Sequence, residues 1–309
     1  MNYFTKDKPY NSLNEYYRHK YQSKISKIAI NGGFSCPNKD GTKSYLGCSF
    51  CSKSGSGDFA GDKNQPILEQ FRQMKTIMDN KWPNSKYILY FQANSNTYKP
   101  IEKLKEIYDP LTNIENVCGL DIATRSDCLN EDIVKYLAKL NEKIDITVEL
   151  GLQTSNEKTK IAINRQETNQ EFIDAVTLLR KYHIEVVCHI INGLPNETKE
   201  DMINTIHFIN KLDIQGIKFH SLLVLRNTRL ETEYKENPFH ILSREEYVDI
   251  VVKQITLLNP SIIIHRLSAD SSVKDLIVPD WTRKKLVVMN EIDKKLRKEK
   301  LYQGIYYKK

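Results

Sequence analysis

Three of the six cysteines in this 309-residue chain fall within one stretch, CPNKDGTKSYLGCSFC. Eleven residues separate Cys36 from Cys48, and two separate Cys48 from Cys51. A close Cys pair reads as half of a metal-binding knuckle. A structural zinc site wants four protein ligands, usually as two close pairs. Here there is one pair plus Cys36; Cys118, Cys128 and Cys188 stand apart, and His19 could join only by folding back. A four-iron cluster asks for something else. Each iron takes one external ligand, so three thiolates leave one iron free to chelate a small molecule. Gly32, Gly33 and Gly47 would let backbone pass close to so bulky a group. Spacing by itself leaves an open iron–sulfur cluster, a zinc site and incidental thiols all standing.

Such residues need elements to hold them. The runs at 27–32, 87–93, 117–123, 145–151, 184–191 and 216–224 are rich in β-formers and read as strands. Between them Ile67, Phe71, Met74 and Met78 share a helical face, as do Phe172, Val176 and Leu179, and then Met202, Ile206 and Ile209. Thr198 to Asp201 and Ser243 to Glu246 fit capping boxes at helix starts. Alternating strands and helices predict an α/β fold of parallel strands with right-handed crossovers. Six such units fit a partial barrel as well as a doubly wound sheet. No glycine-rich dinucleotide fingerprint follows a strand, which argues against a Rossmann domain. In either architecture the chemistry gathers at the carboxyl ends of the strands. Cys36 lies just past the first such end.

Other residue types stand out singly. Glu149 in an apolar strand is costly without a partner, so a ligand or ion-pair role is expected. Gln153 reads either as a ligand contact or as a group satisfying nearby backbone. Arg125 and Arg165 fall in strand-end loops, as surface ion pairs or site residues, and His220 reads as a satisfied strand histidine.

Apolar content of 40% and charged content of 28% are ordinary for a folded soluble protein. No apolar run is long enough to span a bilayer and MNYFTKDKPYN does not read as a signal peptide, so a cytoplasmic, reducing location is expected and no membrane partner. The net charge of +7 sits at one end, where residues 281–309 carry ten Lys or Arg against Glu291, Asp293 and Glu299. That excess marks either an anionic partner or a solvated terminal helix.

Phe50 immediately before the last cysteine, with the thiols directly after the first strand, resembles the radical S-adenosylmethionine (radical SAM) superfamily. The long first cysteine interval is similar to that of the branch containing the catalytic subunit of Elongator. Closer still is a family of short bacterial radical SAM proteins whose opening reads like GFSCPNKDGTK with a GCSFC-like close. The resemblance runs from Asn11 to Arg266. FQANSNTYKP (91–100) looks like the second-strand end that receives the methionine amino group. ATRSDCL (123–129) looks like a third-strand signature of the Elongator-like branch. ELGLQTSNEKT (149–159) resembles the fourth-strand motif near the ribose and methionine, and HIINGLPNET (189–198) the fifth-strand motif passing the adenine.

This resemblance implies a partial (β/α)6 barrel over residues 11–266 and a basic, mostly helical C-terminal extension over 267–309. It implies Cys36, Cys48 and Cys51 as ligands of a 4Fe-4S cluster, with Phe50, Gln92, Asn94, Glu149, Gln153, Arg165 and Ile191 around S-adenosylmethionine (SAM). The chain departs from the pattern at Arg165-Gln166-Glu167, where close relatives carry Arg-Gly-His, at Asn94 in place of an aromatic, and at Ser126 in place of proline. The implied activity is reductive cleavage of SAM to a 5′-deoxyadenosyl radical that abstracts hydrogen from a substrate, fed by flavodoxin or ferredoxin. The branch implies tRNA, at the wobble uridine, as substrate. The basic tail would supply charge, and Trp281, Tyr302, Tyr306 and Tyr307 rings for stacking. A radical SAM enzyme acting on a small metabolite or peptide, and a zinc-stabilised, non-catalytic RNA-binding protein, are the competing readings.

Overall fold

The computed structural model describes residues 2–308. All six expected strands form: β1 (Ile25–Ile30), β2 (Lys86–Phe91), β3 (Val117–Thr124), β4 (Asp145–Gln153), β5 (Glu185–Asn192) and β6 (Gly216–Ser221). Val224–Leu225 is a separate short strand, β7. Two further strands were not anticipated, β8 (Ile263–Arg266) and β9 (Leu276–Val278). Strands β1 to β6 and then β8 form one parallel seven-stranded sheet in that order, while β7 and β9 pair antiparallel.

The helices are α1 (Leu13–Tyr21), α2 (Ile67–Lys81), α3 (Ile101–Tyr108), α4 (Glu131–Asn141), α5 (Glu157–Ala162), α6 (Asn169–Lys181), α7 (Lys199–Ile209), α8 (Arg229–Glu236), α9 (Arg244–Leu257) and α10 (Lys285–Lys298). Both expected capping boxes are present, at Thr198 for α7 and Ser243 for α9, and Thr168 makes a third for α6. Each cap satisfies backbone N–H groups that a helix start leaves unpaired.

Strand alternation explains the division of labour between the two sheet faces. Ile28, Ile30, Leu89, Phe91, Leu120, Ile122, Val148, Leu150, Val186, Ile190, Ile217 and Phe219 are buried in the main core. That core also takes Phe71, Phe172, Val176, Leu179, Ile206 and Val251 from the helices. Each such side chain fully buried is worth about 1.5–3 kcal/mol. The intervening positions carry Lys27, Tyr90, Asp121, Glu149, His189 and Lys218, which turn to the other face. A flat sheet would hold β1 and β4 about 14 Å apart, three strand spacings. Yet Lys27 Nζ on β1 lies 3.5 Å from Glu149 Oε1 on β4. The sheet therefore curls around its polar face, as a partial β/α barrel.

The far edge is closed by the chain's two ends. Ser12 forms a parallel bridge with Ile264 of β8, and Ile264 N–H donates to Asn11 O at 2.7 Å. Gln303, fully buried, accepts from Asn11 N–H at 2.9 Å, while its own N–H donates to Pro9 O at 3.0 Å. Tyr10 OH donates to Asp293 of α10 at 2.9 Å. Val288, Ile292 and Leu296 of α10 belong to the same core as the barrel strands.

Candidate active site

The cysteine loop leaves β1 through Gly33, whose φ of +63° is a left-handed value open to glycine at no steric cost. It is pinned from three sides. Cys36 O accepts from Lys39 N–H at 2.8 Å, and Cys51 N–H donates to Cys48 O at 3.0 Å, making two tight turns. Asn164, in the segment after α5, donates to Gly47 O at 2.8 Å, and Ser49 N–H donates to Ile163 O at 2.9 Å. Leu230 N–H of α8 donates to Ser49 O at 2.9 Å. Phe50 packs with Leu194, Leu222, Val224 and Leu230 in a second, smaller apolar cluster.

The loop borders a cavity at the strand ends with about 1370 Å³ of free space, its open mouth included. Every residue expected at the site lines it: Cys36, Cys48 and Cys51, and also Phe50, Gln92, Asn94, Glu149, Gln153, Arg165 and Ile191. The other three cysteines do not. Cys118 and Cys188 lie on strands and Cys128 follows β3; burial pushes all three thiols up, Cys118 to about 12. Burial also raises Cys51, with the neighbouring Cys48 and Cys36 adding to the effect and Lys39 opposing it.

This donor set suits the implied cluster better than zinc. A structural zinc site wants four protein ligands, whereas a cubane takes each of three thiolates on a different iron and leaves one iron open. Ser95, 1% exposed, also lines the cavity, and its hydroxyl is close enough to the buried Cys128 thiol to hydrogen-bond with it.

Gln153 sits at φ +67°, an uncommon value for a side-chain-bearing residue, just where the β4–β5 register shifts. A Cβ at nearby Gly151 would lie 2.5 Å from the Gln153 amide nitrogen, so a larger residue there would displace the Gln153 side chain. Gly151 O accepts from Arg165 Nε and Nη2 at 3.2 and 2.6 Å. Arg125 and Arg165 are not surface ion pairs: they are 3% and 5% exposed and share Glu167, which lies 2.5 Å from Arg165. Arg125 also pairs with Asp127, at 2.7 Å, and donates to Arg165 O at 2.9 Å. The Arg165-Gln166-Glu167 departure thus brings its own countercharge. Side chains at the end of β2 are committed to the fold, with Gln92 donating to Ser56 O at 2.8 Å and Asn94 to Phe34 O at 3.0 Å.

Glu149 forms the floor of the cavity. It is 1% exposed, ion-paired with Lys218 and Lys27, and hydrogen-bonded to His189 at 2.8 Å. Burial opposes its charge, but the two lysines and His189 hold its carboxyl well below the usual range. Lys27 also pairs with Asp121. The charged residues of β1, β3, β4 and β6 thus form one interior network, which the sequence reading did not foresee. The signal was a charged residue at an inward position within each of four largely apolar strands. His220 is not a satisfied strand histidine, because its Nε2 is buried without a partner and the ring lines the cavity. Trp281 is not a free stacking platform; its Nε1 donates to Leu242 O at 2.8 Å and its ring lies against Tyr247.

Comparisons with known proteins agree with this geometry. The family model for the radical SAM superfamily matches residues 41–209, and that for the radical SAM C-terminal domain matches residues 214–298. The uncharacterised protein YtqA of Bacillus subtilis is 41% identical over 99% of this chain and 95% of its own length. A tRNA-2-methylthio-N(6)-dimethylallyladenosine synthase of Ehrlichia canis is 29% identical over 39% of this chain and 28% of its own. The structure of archaeal Elp3 from Methanocaldococcus infernus superposes with a TM-score of 0.65 at 16% identity, covering 90% of this chain and 64% of that one. With three thiols at the mouth of a parallel half-barrel and a sequence match through most of its length, the chain belongs to the radical SAM superfamily, whose members use a 4Fe-4S cluster and SAM.

Proposed function

We propose that this radical SAM enzyme modifies tRNA, with the wobble uridine as its target. Cys36, Cys48 and Cys51 would hold the 4Fe-4S cluster, while Phe50, Gln153, Arg165 and Ile191 would line the place of SAM. The backbone at Gln92 and Asn94 would border it too, with Glu149 beneath. When bound, cluster and SAM supply the electron transfer and the hydrogen-abstracting radical. The chain's own part is to ligate, orient and exclude water. Flavodoxin or ferredoxin would deliver the electron in the cytoplasm. Among the described residues no helix is long and apolar enough to cross a membrane.

The observation that carries the tRNA reading is where the basic helix begins. Lys285, the first residue of α10, is paired with Asp270, and Asp270 lines the cavity. Beside it Arg283 and Lys284 are exposed. A polyanion lying along α10 would bring a base towards the cavity mouth, its phosphates countered by lysines. The Elongator-like motifs and the similarity to a tRNA-modifying synthase support the same substrate class. The test is comparative nucleoside analysis of tRNA from cells with and without the gene. Loss or truncation of one wobble-uridine modification is expected. An unchanged nucleoside profile would overturn the tRNA reading and favour a small metabolite or a peptide.

A further inference from the structure

The long Cys36–Cys48 interval does more than space two thiols. Among the described residues four large apolar side chains are more than two-thirds exposed: Tyr45 at 81%, Ile161 at 78%, Leu286 at 71% and Leu46 at 69%. Leu286 is on α10. The other three sit on two segments that pack together around the cysteines. Asn164 donates to Ser44 Oγ at 3.2 Å and to Gly47 O at 2.8 Å, and Ser49 N–H donates to Ile163 O at 2.9 Å. None of the three lines the cavity. Single exposed apolar residues need no explanation, but a group of them with a polar rim marks an interaction surface.

The patch is firmly mounted and its rim is basic. The Tyr45 ring lies over Gly41, where a Cβ would collide with it. Ile163, two residues from Ile161, is buried in the smaller apolar cluster with Leu230. Lys39 lies against Gly47, its carbons 3.3 Å from where a Cβ would stand, and donates to Ser52 O at 2.7 Å. Lys53 follows Ser52, and Lys158 stands one helical turn before Ile161 on α5. Among the described residues no salt bridge engages Lys39, Lys53 or Lys158. The acids of the same segments are occupied by backbone: Asp40 accepts from Thr42 N–H at 3.1 Å, and Glu157 from Asn169 N–H at 2.6 Å.

The occupant follows from this chemistry. Leu46 is two residues from Cys48, so their Cα atoms are at most about 7.6 Å apart. The patch thus stands directly beside a cluster thiolate. Because it lies outside the cavity, a protein seated on it leaves the mouth free for SAM and substrate. An apolar centre with an unmatched basic rim suits an acidic protein surface. RNA phosphates would find the lysines, but Leu46 and Ile161 offer neither a stacking face nor a hydrogen bond. We infer that Tyr45, Leu46 and Ile161 form the docking surface for the electron donor, a small acidic protein with an exposed one-electron group. In that complex the reduced donor passes one electron to the oxidised cluster, and no bond forms or breaks. Three anchors suit the small, transient contacts of redox partners, below about 1,200 Å². The inference rests on the radical SAM reading of the site and is independent of tRNA as substrate.

The test is calorimetric titration of cluster-loaded protein with oxidised flavodoxin and, separately, with a 2Fe-2S ferredoxin. Saturable binding of at least one carrier is expected, weakening as salt rises. Leu46→Glu combined with Ile161→Glu should weaken it by about tenfold or more, as loss of central interface anchors does. Both positions are exposed, so neither change burdens the fold. Lys158→Glu alone should weaken binding by a smaller factor and flatten its salt dependence. Reduction of the cluster by the reduced carrier should slow in parallel, while reduction by dithionite and SAM affinity stay at parent values. Three results would each overturn the inference: binding of neither carrier, affinity indifferent to the double substitution, or loss of tRNA binding with the carrier unaffected. The last would assign the patch to RNA. A parent protein that takes no electron even from dithionite would overturn the cluster reading itself, and the inference with it.

Discussion

Asn38 and Cys48 are joined by a hydrogen bond from Asn38 Nδ2 to Cys48 Sγ at 3.5 Å, inside the loop that the cluster would occupy. The same amide donates to Asn164 O at 2.7 Å, so its orientation is fixed from outside the loop. Hydrogen bonds to cluster sulfurs stabilise the more negative, reduced state and tune its potential.

Replacing Asn38 by Ala should therefore leave a cluster that is harder to reduce. The measurement is a redox titration followed by electron paramagnetic resonance on samples of matched iron content. An unchanged midpoint would show that this donor has no hold on the potential.

Ligation itself is tested by the cysteines. Anaerobically reconstituted protein should carry about four irons per chain. Ala at Cys36, Cys48 or Cys51 should abolish that content, whereas Ala at Cys118, Cys128 or Cys188 should retain it, since those thiols do not line the cavity. Stoichiometric zinc in a colourless protein would contradict the assignment.

Glu149 and Gln153 share a strand but should fail differently. Glu149→Gln removes a countercharge from Lys218 and Lys27, and breaking a buried ion pair costs about 3–5 kcal/mol. A lower unfolding midpoint is expected. Gln153→Ala should instead weaken SAM binding while stability and iron content stay near those of the parent. A Glu149→Gln protein that melts normally but binds no SAM would make the carboxylate a cofactor contact rather than a support.

The interior histidines set a pH dependence. His189 is held down at about 4, and His220 and His265 are held well below their usual value, chiefly by burial and then by nearby cations. An unfolded histidine titrates near 6.5. As pH falls below that value, the unfolded chain takes up protons that the folded protein refuses. Stability should therefore drop between about pH 6.5 and 4, each histidine contributing up to about 1.4 kcal/mol per pH unit. Urea midpoints across pH 5 to 7.5 should show a shallower slope in His220→Asn, by about one proton. A parallel curve would mean that His220 protonates freely in the fold.

The basic tail is less available than its composition implies. Lys295 pairs with Asp249, Arg297 lies near Asp7, and Lys285 is held by Asp270. Lys284, Lys294, Lys298 and Lys300 are exposed, and among the described residues no salt bridge engages them. Changing these four to Gln should weaken tRNA binding and flatten its salt dependence, by a logarithmic slope of about 0.7 per lost contact on single strands. Parent and variant are compared by salt titration at matched cluster content. Equal slopes would assign the tail to solvation alone.

The sequence shows most of what local pattern controls. Strands β1 to β6 were visible because Ile, Val and Phe cluster in short runs, and the α7 and α9 caps because their boxes are local. The cysteine loop was legible from spacing and the Phe50 context. Strand β8 escaped because four residues ending in His265-Arg266 show no period, and α1 because tyrosines fill its sequence. The interior network escaped for a different reason. Lys27, Asp121, Glu149 and Lys218 are far apart in the chain, and only the curl of the sheet turns four isolated charges into partners.

The clasp around Gln303 has a practical meaning for engineering. Residues 9–11 and 303 are stitched together at one edge of the barrel, and the rings of Phe4 and Tyr302 lie 6.4 Å apart. Groups attached near Phe4 and Tyr302 would therefore sit side by side, on the β8 edge rather than at opposite poles. Because residues 9–12 and 303 fasten β8 at this edge, removing either segment would loosen β8, and with it the guanidinium of Arg266.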